Sequence, residues 1–122
     1  MRTMARWAAA LVLVGACASV ANESEPLPEE APDIVGTVTD RREVPGGWVV
    51  RVQQDSTRSA GYPRADVAVG HATRVLRRNG DRVFPAGGRD LHPGTRVRAW
   101  FAGPVTEALT VRVQGRVVLI ES

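Results

Sequence analysis

From Ile34 onward, apolar and polar positions alternate in short runs with a period of two, the pattern of half-buried strands. Ile34–Val44 reads as a first strand, ended by Pro45-Gly46-Gly47. Trp48–Gln54 follows, with Trp48, Val50 and Val52 on one face and Arg51 and Gln53 on the other. Asp55–Arg64, with its Ser, Gly and Pro, reads as a loop, and Val67–Leu76 as a third strand in which Val67, Val69, His71, Thr73 and Val75 alternate. Asn79-Gly80 is a hairpin signal, because both residues tolerate positive φ, and Val83-Phe84 is the returning arm. Pro93-Gly94 suits a type II turn. Val97–Phe101 and Leu109–Ile120 are the last strands, joined across Ala102-Gly103-Pro104. Apolar residues do not recur at i, i+3, i+4 and i+7 for more than a turn here, so little helix is expected.

The fold class is therefore all-β. About five or six strands without a disulfide favour closure into a small barrel, which removes edges that would template aggregation. Gly36, Gly70 and Gly115 fall inside strand patterns, where glycine marks bulges or bends. The order of strands and turns is that of an OB-like, five- to six-stranded antiparallel barrel over residues 33–122. On the run Val97–Phe101, Val97, Ala99 and Phe101 share a side, which makes Phe101 the core residue and Trp100 the partly exposed one.

Upstream the pattern changes character. Arg2 and Arg6 precede an apolar run from Trp7 to Val14, too short to span a bilayer as a mature helix. The run closes on Leu13-Val14-Gly15-Ala16-Cys17, with the chain's only cysteine. Residues 1–16 read as a signal peptide, and the segment with Cys17 resembles a bacterial lipobox. That resemblance implies a diacylglycerol thioether on Cys17 and cleavage before it, so that the protein partners a membrane through its lipid. The alternative is an ordinary signal peptide cut after Ala21, with Cys17 incidental. Two or three acyl chains, at about 0.8 kcal/mol per buried CH₂, hold essentially permanently. Ala18 is not the aspartate that commonly retains lipoproteins in an inner membrane. The expected location is the bacterial cell envelope: the periplasmic side of an outer membrane, or alternatively the outer face of the plasma membrane.

Residues 17–32 carry four glutamates and three prolines without a basic residue or a periodic pattern, and read as a lipidated acidic tether. Charge then separates along the chain. The whole protein is +3, but the acids of the tether conceal a more basic barrel whose cations are all arginine. Arg74, Arg77, Arg78 and Arg82 flank the Asn79-Gly80 turn, and Arg96, Arg98, Arg112 and Arg116 alternate on the last strands. A basic OB face with aromatic platforms can bind nucleic acid. An anchored protein outside the cytoplasm seldom meets it, so nucleic acid is not the expected partner. Anionic head groups or an acidic partner suit these arginines better, and a merely solvated face needs no partner at all.

The stretch Asp90-Leu91-His92-Pro93-Gly94-Thr95-Arg96-Val97-Arg98-Ala99-Trp100-Phe101-Ala102-Gly103-Pro104-Val105-Thr106-Glu107 resembles the signature of the YobA-like family, small secreted or lipid-anchored bacterial proteins. Trp100, Phe101, Gly103, Pro104, Val105 and Glu107 match its W-F-x-G-P-V-x-E, and Gly115, Val118 and Ile120 fit its closing strand. Ala108-Leu109-Thr110 departs from its Ser-Tyr-Pro, and Arg112 stands where glutamine is usual. The resemblance is specific over residues 94–107 and implies a fold and a location, not a reaction.

Candidate chemistry is sparse. His71 and His92 have no neighbouring ligand in sequence, and His71 reads as a barrel histidine, His92 as an exposed turn residue. Ser56, Ser59 and Ser122 suggest no triad, and neither paired carboxylates nor a phosphate loop stand out. No metal, cofactor or catalytic residue is expected. The leading expectation is a non-enzymatic envelope lipoprotein binding a protein, peptide or glycan, with Trp100, Glu107, Arg74, Arg77, Arg78 and Arg82 as the candidate surface. A structural or stress-related module without a ligand site is the runner-up, and an enzyme comes last. Convergence of the Tyr62-Pro63 loop with Phe101–Glu107 and Trp100 over a concave patch would favour binding.

Overall fold

A computed structural model describes residues 24–55, 62–106 and 110–121. Seven strands run through them: β1 (Ile34–Val44), β2 (Gly47–Gln54), β3 (Arg64–Val69), β4 (Arg74–Asn79), β5 (Arg82–Pro85), β6 (Arg96–Thr106) and β7 (Val111–Glu121). A 3-10 turn at Gly88–Asp90 links β5 to β6. β-Branched residues supply most inward positions, as a pleated, half-buried surface favours.

β1 pairs with β2 and β6, and β2 with β3. β7 pairs with β6 on one side and with β3 on the other, so β1-β2-β3-β7-β6 closes into a five-stranded OB-like barrel. The expected all-antiparallel pairing is corrected at two ladders. β3–β7 and β4–β7 are parallel. β4 joins the far half of β7, and β5 forms the outer edge beyond it.

Gly36 shows why β1 and β2 approach so closely near the start of the barrel. A Cβ there would meet the Gln53 carbonyl oxygen at 1.9 Å, so only glycine fits without moving backbone. Pro93-Gly94 makes its turn, with Thr95 N–H donating to the His92 carbonyl. The β4–β5 hairpin forms as expected, one residue later than read. Asn79 pairs with Arg82, leaving Gly80-Asp81 as the loop, and Gly80 takes φ 65°. Glycine at the first loop position with positive φ is the II′ arrangement that follows strand twist.

Three other expectations need correction. The run Val67–Leu76 is two strands, broken by a turn at Gly70–Thr73, and His71 is exposed in that turn rather than facing the barrel. Thr73 holds the break together: its hydroxyl donates to the Gly115 carbonyl at 2.7 Å and accepts from Gly70 N–H at 3.2 Å. Ala102-Gly103-Pro104 lies inside β6, in a stretch bulged out between Ala102 and Thr106, and does not connect the last two strands.

The third correction concerns the core, which has two parts. The barrel interior holds Ile34, Val38, Val50, Val52, Val67, Val97, Ala99, Val118 and Ile120, plugged by Leu91. A second cluster of Leu76, Val83, Trp100, Val117 and Leu119 lies on the other face of the β6-β7-β4-β5 sheet. A bulge creates it. Trp100 pairs with Val117 and Phe101 with Gly115, so Arg116 is the extra residue on β7. The parity of β7 flips there, and Val117 and Leu119 turn outward while Val118 and Ile120 face the barrel. Phe101 does share the barrel side with Val97 and Ala99, as read, but it is only partly buried. Trp100, expected to be the exposed one, is 4% exposed.

Residues 24–30, read as part of a free tether, cover this second cluster. Leu27 packs on it, and the Trp100 indole N–H donates to the Glu30 carbonyl at 2.9 Å. Val83 N–H donates to Ser24 Oγ at 2.7 Å, and Glu25 N–H donates to the Val83 carbonyl at 3.0 Å. The outward hydrogen-bonding groups of β5 at Val83 are thereby occupied, which blunts the sheet edge.

Candidate functional site

Alternation on β2, β3 and β7 sends valines inward and leaves the outer faces to form two cross-strand rows. One row runs Arg42, Val49, Ala68, Gln114 across β1, β2, β3 and β7. The neighbouring row runs Asp40, Arg51, Asp66, Arg112. With Pro104 overhanging from the bulged part of β6, the residues of the two rows other than Asp40 line a cleft of about 500 Å³. It lies outside the barrel, on the β2–β3 side.

The electrostatics of the rows is unequal. Arg51 grips Asp66 with two bonds, Nε to Oδ1 at 2.8 Å and a terminal nitrogen to Oδ2 at 3.1 Å. That bidentate bond, above all, holds the Asp66 carboxyl below the usual aspartate range against partial burial, with help from the charges of Arg51, Arg112 and Arg42. Asp66 in turn raises the Arg51 guanidinium further above its ordinary value. Arg42 and Arg112 are both exposed and contribute only their field to Asp66, whose oxygens Arg51 already takes. The cleft therefore has an apolar floor at Val49 and Ala68, a saturated ion pair at its centre and a guanidinium on each flank. Such a surface can accept carboxylate or other oxyanion groups carried on an extended ligand. Gln114 adds an amide that donates to the Ala68 carbonyl at 3.3 Å and to Thr73 Oγ1 at 3.2 Å.

The residues singled out in the sequence are dispersed elsewhere. Trp100, a candidate surface residue, is buried in the second cluster and offers no binding platform. Tyr62 does meet β6, its ring tilted against that of Phe101 with centroids 5.6 Å apart, but Trp100 points to the opposite side of that strand. Arg74 and Arg78 lie on the face of the second cluster, where Arg74 approaches Glu25 at 3.9 Å and Arg78 approaches Glu121 at 3.8 Å. Arg77 stands opposite Phe84 on the other face of the hairpin, and Arg82 lies over the Phe84 ring at 5.5 Å. The four arginines thus form two pairs on opposite faces, not one stripe. Cys17 and Glu107 lie outside the described residues.

Arg42 and Arg51 escaped selection because arginine on an outer strand position looks like ordinary solvation. The available signal was register. Pairing β1 on β2 with the bulge at Val38/Asp40 puts Arg42 beside Val49, and pairing β2 on β3 puts Arg51 beside Asp66. Among the described residues, no group of three His, Cys, Asp or Glu side chains gathers. Compared with family models, curated proteins and solved structures, the chain matches none, so the YobA-like resemblance rests on the sequence motif of residues 94–107 and the closing-strand positions Gly115, Val118 and Ile120.

Proposed function

We propose that this protein is a non-enzymatic binding module of the bacterial cell envelope, anchored through a lipid on Cys17. Its ligand is an acidic stretch of an envelope protein, peptide or glycan, bound in the β2–β3 cleft. The observation that carries the reading is the pair of guanidiniums, Arg42 and Arg112, flanking the saturated Arg51–Asp66 bridge over Val49 and Ala68. OB-like barrels present ligands to this side of the sheet, through the faces of the second and third strands. A likeness to small lipid-anchored proteins of the YobA-like kind agrees with the location.

The test is capture from detergent-solubilised membranes with the full lipidated chain, beside the Arg42→Gln/Arg112→Gln double variant. Hydrogen bonds to charged groups contribute about 1.5–3 kcal/mol, so bound material should fall roughly tenfold or more at unchanged thermal stability. Identical capture by the two proteins would leave the cleft without a ligand and favour the structural module.

A further inference from the structure

We propose that the outer side of the β4–β5 hairpin is a membrane-docking surface, with Phe84 entering the head-group layer and Arg77 and Arg82 facing anionic lipid phosphates. This rests on the Cys17 anchor and goes beyond the ligand cleft, which occupies a different side of the barrel.

Chain length carries the argument. A tether running freely to Asp33 would let the barrel roam tens of ångströms from its lipid. The chain is instead fixed at Ser24, whose hydroxyl and backbone neighbour bond to Val83 in the middle of β5. From Cys17 to Ser24 the chain spans at most about 25 Å, at 3.3–3.6 Å per residue. The acyl chains therefore enter the bilayer within about 25 Å of β5, which makes the surface around β5 the one nearest the lipid.

That surface has the composition a membrane interface selects. Phe84 follows Val83 and, at 39% exposure, is the large apolar side chain left open among the described residues. Arg77 is directly opposite it on β4, and the Arg82 guanidinium lies 5.5 Å from the Phe84 ring. An aromatic ring with guanidiniums beside it places apolar surface in the head-group layer and charge at the phosphates. The carboxylates of Glu25 and Glu121 are turned to Arg74, Arg78 and Arg98 on the other face, while Asp81 stands exposed in the hairpin loop beside Arg82. Each arginine at an anionic surface contributes roughly a fivefold gain in residence, too little alone but sufficient once the lipid holds the hairpin at high local concentration.

The experiment uses the full lipidated chain carrying Pro85→Cys, which is exposed beside an intact Phe84 and whose thiol is the one left for labelling once the Cys17 sulfur is held in its thioether. Arg64→Cys, at the start of β3 where that strand meets the opposite end of β7, serves as the control position. Each is labelled with an environment-sensitive fluorophore and reconstituted into phosphatidylglycerol/phosphatidylethanolamine vesicles or into neutral phosphatidylcholine vesicles. In anionic vesicles the label at position 85 should shift to the blue and be quenched by brominated lipid severalfold more than the label at 64. Arg77→Gln/Arg82→Gln, neutral lipid or high salt should each remove most of that difference. A vesicle-bound chain with both labels equally in water would overturn the docking and leave the anchor standing. A chain that does not partition at all would remove the anchor, and the docking with it.

Discussion

At Trp100 the alternation of β6 carries an indole away from the barrel interior, into the cluster with Leu76, Val83, Val117 and Leu119. Its ring nitrogen is satisfied there by the Glu30 carbonyl. Phe101 faces the barrel interior but at its open rim, beside Tyr62. Truncating a buried large aromatic costs about 3–5 kcal/mol, so Trp100→Ala should lower the unfolding free energy by that order, and Phe101→Ala by clearly less. Trp100→Phe, which keeps an aromatic ring but loses the N–H and the volume of the second ring, should cost an intermediate amount, about 1–3 kcal/mol. Denaturant unfolding of the three variants checks the ranking, and a Phe101→Ala loss equal to that of Trp100→Ala would contradict it. Asp66 gives a prediction in pH. Its folded pKa lies below the unfolded one, so its contribution is present above the ordinary aspartate range, about 4, and fades as pH falls through the lowered value. Wild type should therefore lose more thermal stability than Asp66→Asn between about pH 6 and pH 3, and parallel curves would show the Arg51 pairing to be energetically silent.

β3, β4 and β7 meet at one hydroxyl. Thr73 Oγ1 donates to the Gly115 carbonyl of β7, accepts from Gly70 N–H after β3, and sits at the residue preceding β4. It bridges the place where β7 stops pairing with β3 and begins pairing with β4. Thr73→Val keeps the shape but leaves those groups unpaired, and should cost about 1–3 kcal/mol; Thr73→Ser should cost less. Amide hydrogen exchange should report faster opening at the start of β4 in the valine variant, and protection as in wild type would deny Thr73 that role. The same junction shows how much was legible beforehand. Period-two alternation and the Pro-Gly and Asn-Gly pairs located nearly every strand and the OB-like ring, because those signals are local. Gly70 and Gly115, glycines inside strand patterns, do mark the break before Thr73 and the bulge at Arg116, but how each re-pairs the strands, and the parallel β4–β7 ladder, depend on the partner strand. The candidate cleft was hidden for the same reason: Arg42, Arg51, Asp66 and Arg112 are neighbours only across four strands in register.

For the molecule as a whole, the consequential boundary is at Ser24 rather than at Asp33. Composition makes residues 17–32 look like solvated tether, and four glutamates do oppose a packed core. Yet Leu27, Ser24, Glu25 and Glu30 each find a partner on the barrel. The ion pairs to Arg74 and Arg116 are exposed and contribute about 0–1 kcal/mol each. Covering the second cluster matters more, because each apolar side chain kept from water contributes about 1.5–3 kcal/mol when fully buried. A chain begun at Asp33 would expose the indole of Trp100 with its N–H unpaired, uncover Val83 and leave the β5 edge open. It should unfold at lower denaturant than a chain begun at Ser24, by about 2–4 kcal/mol, and self-associate at concentrations where the longer chain is monomeric. Paired denaturant titrations and sedimentation velocity would measure both effects. Equal midpoints and equal monodispersity would return residues 24–32 to the status of a passive linker.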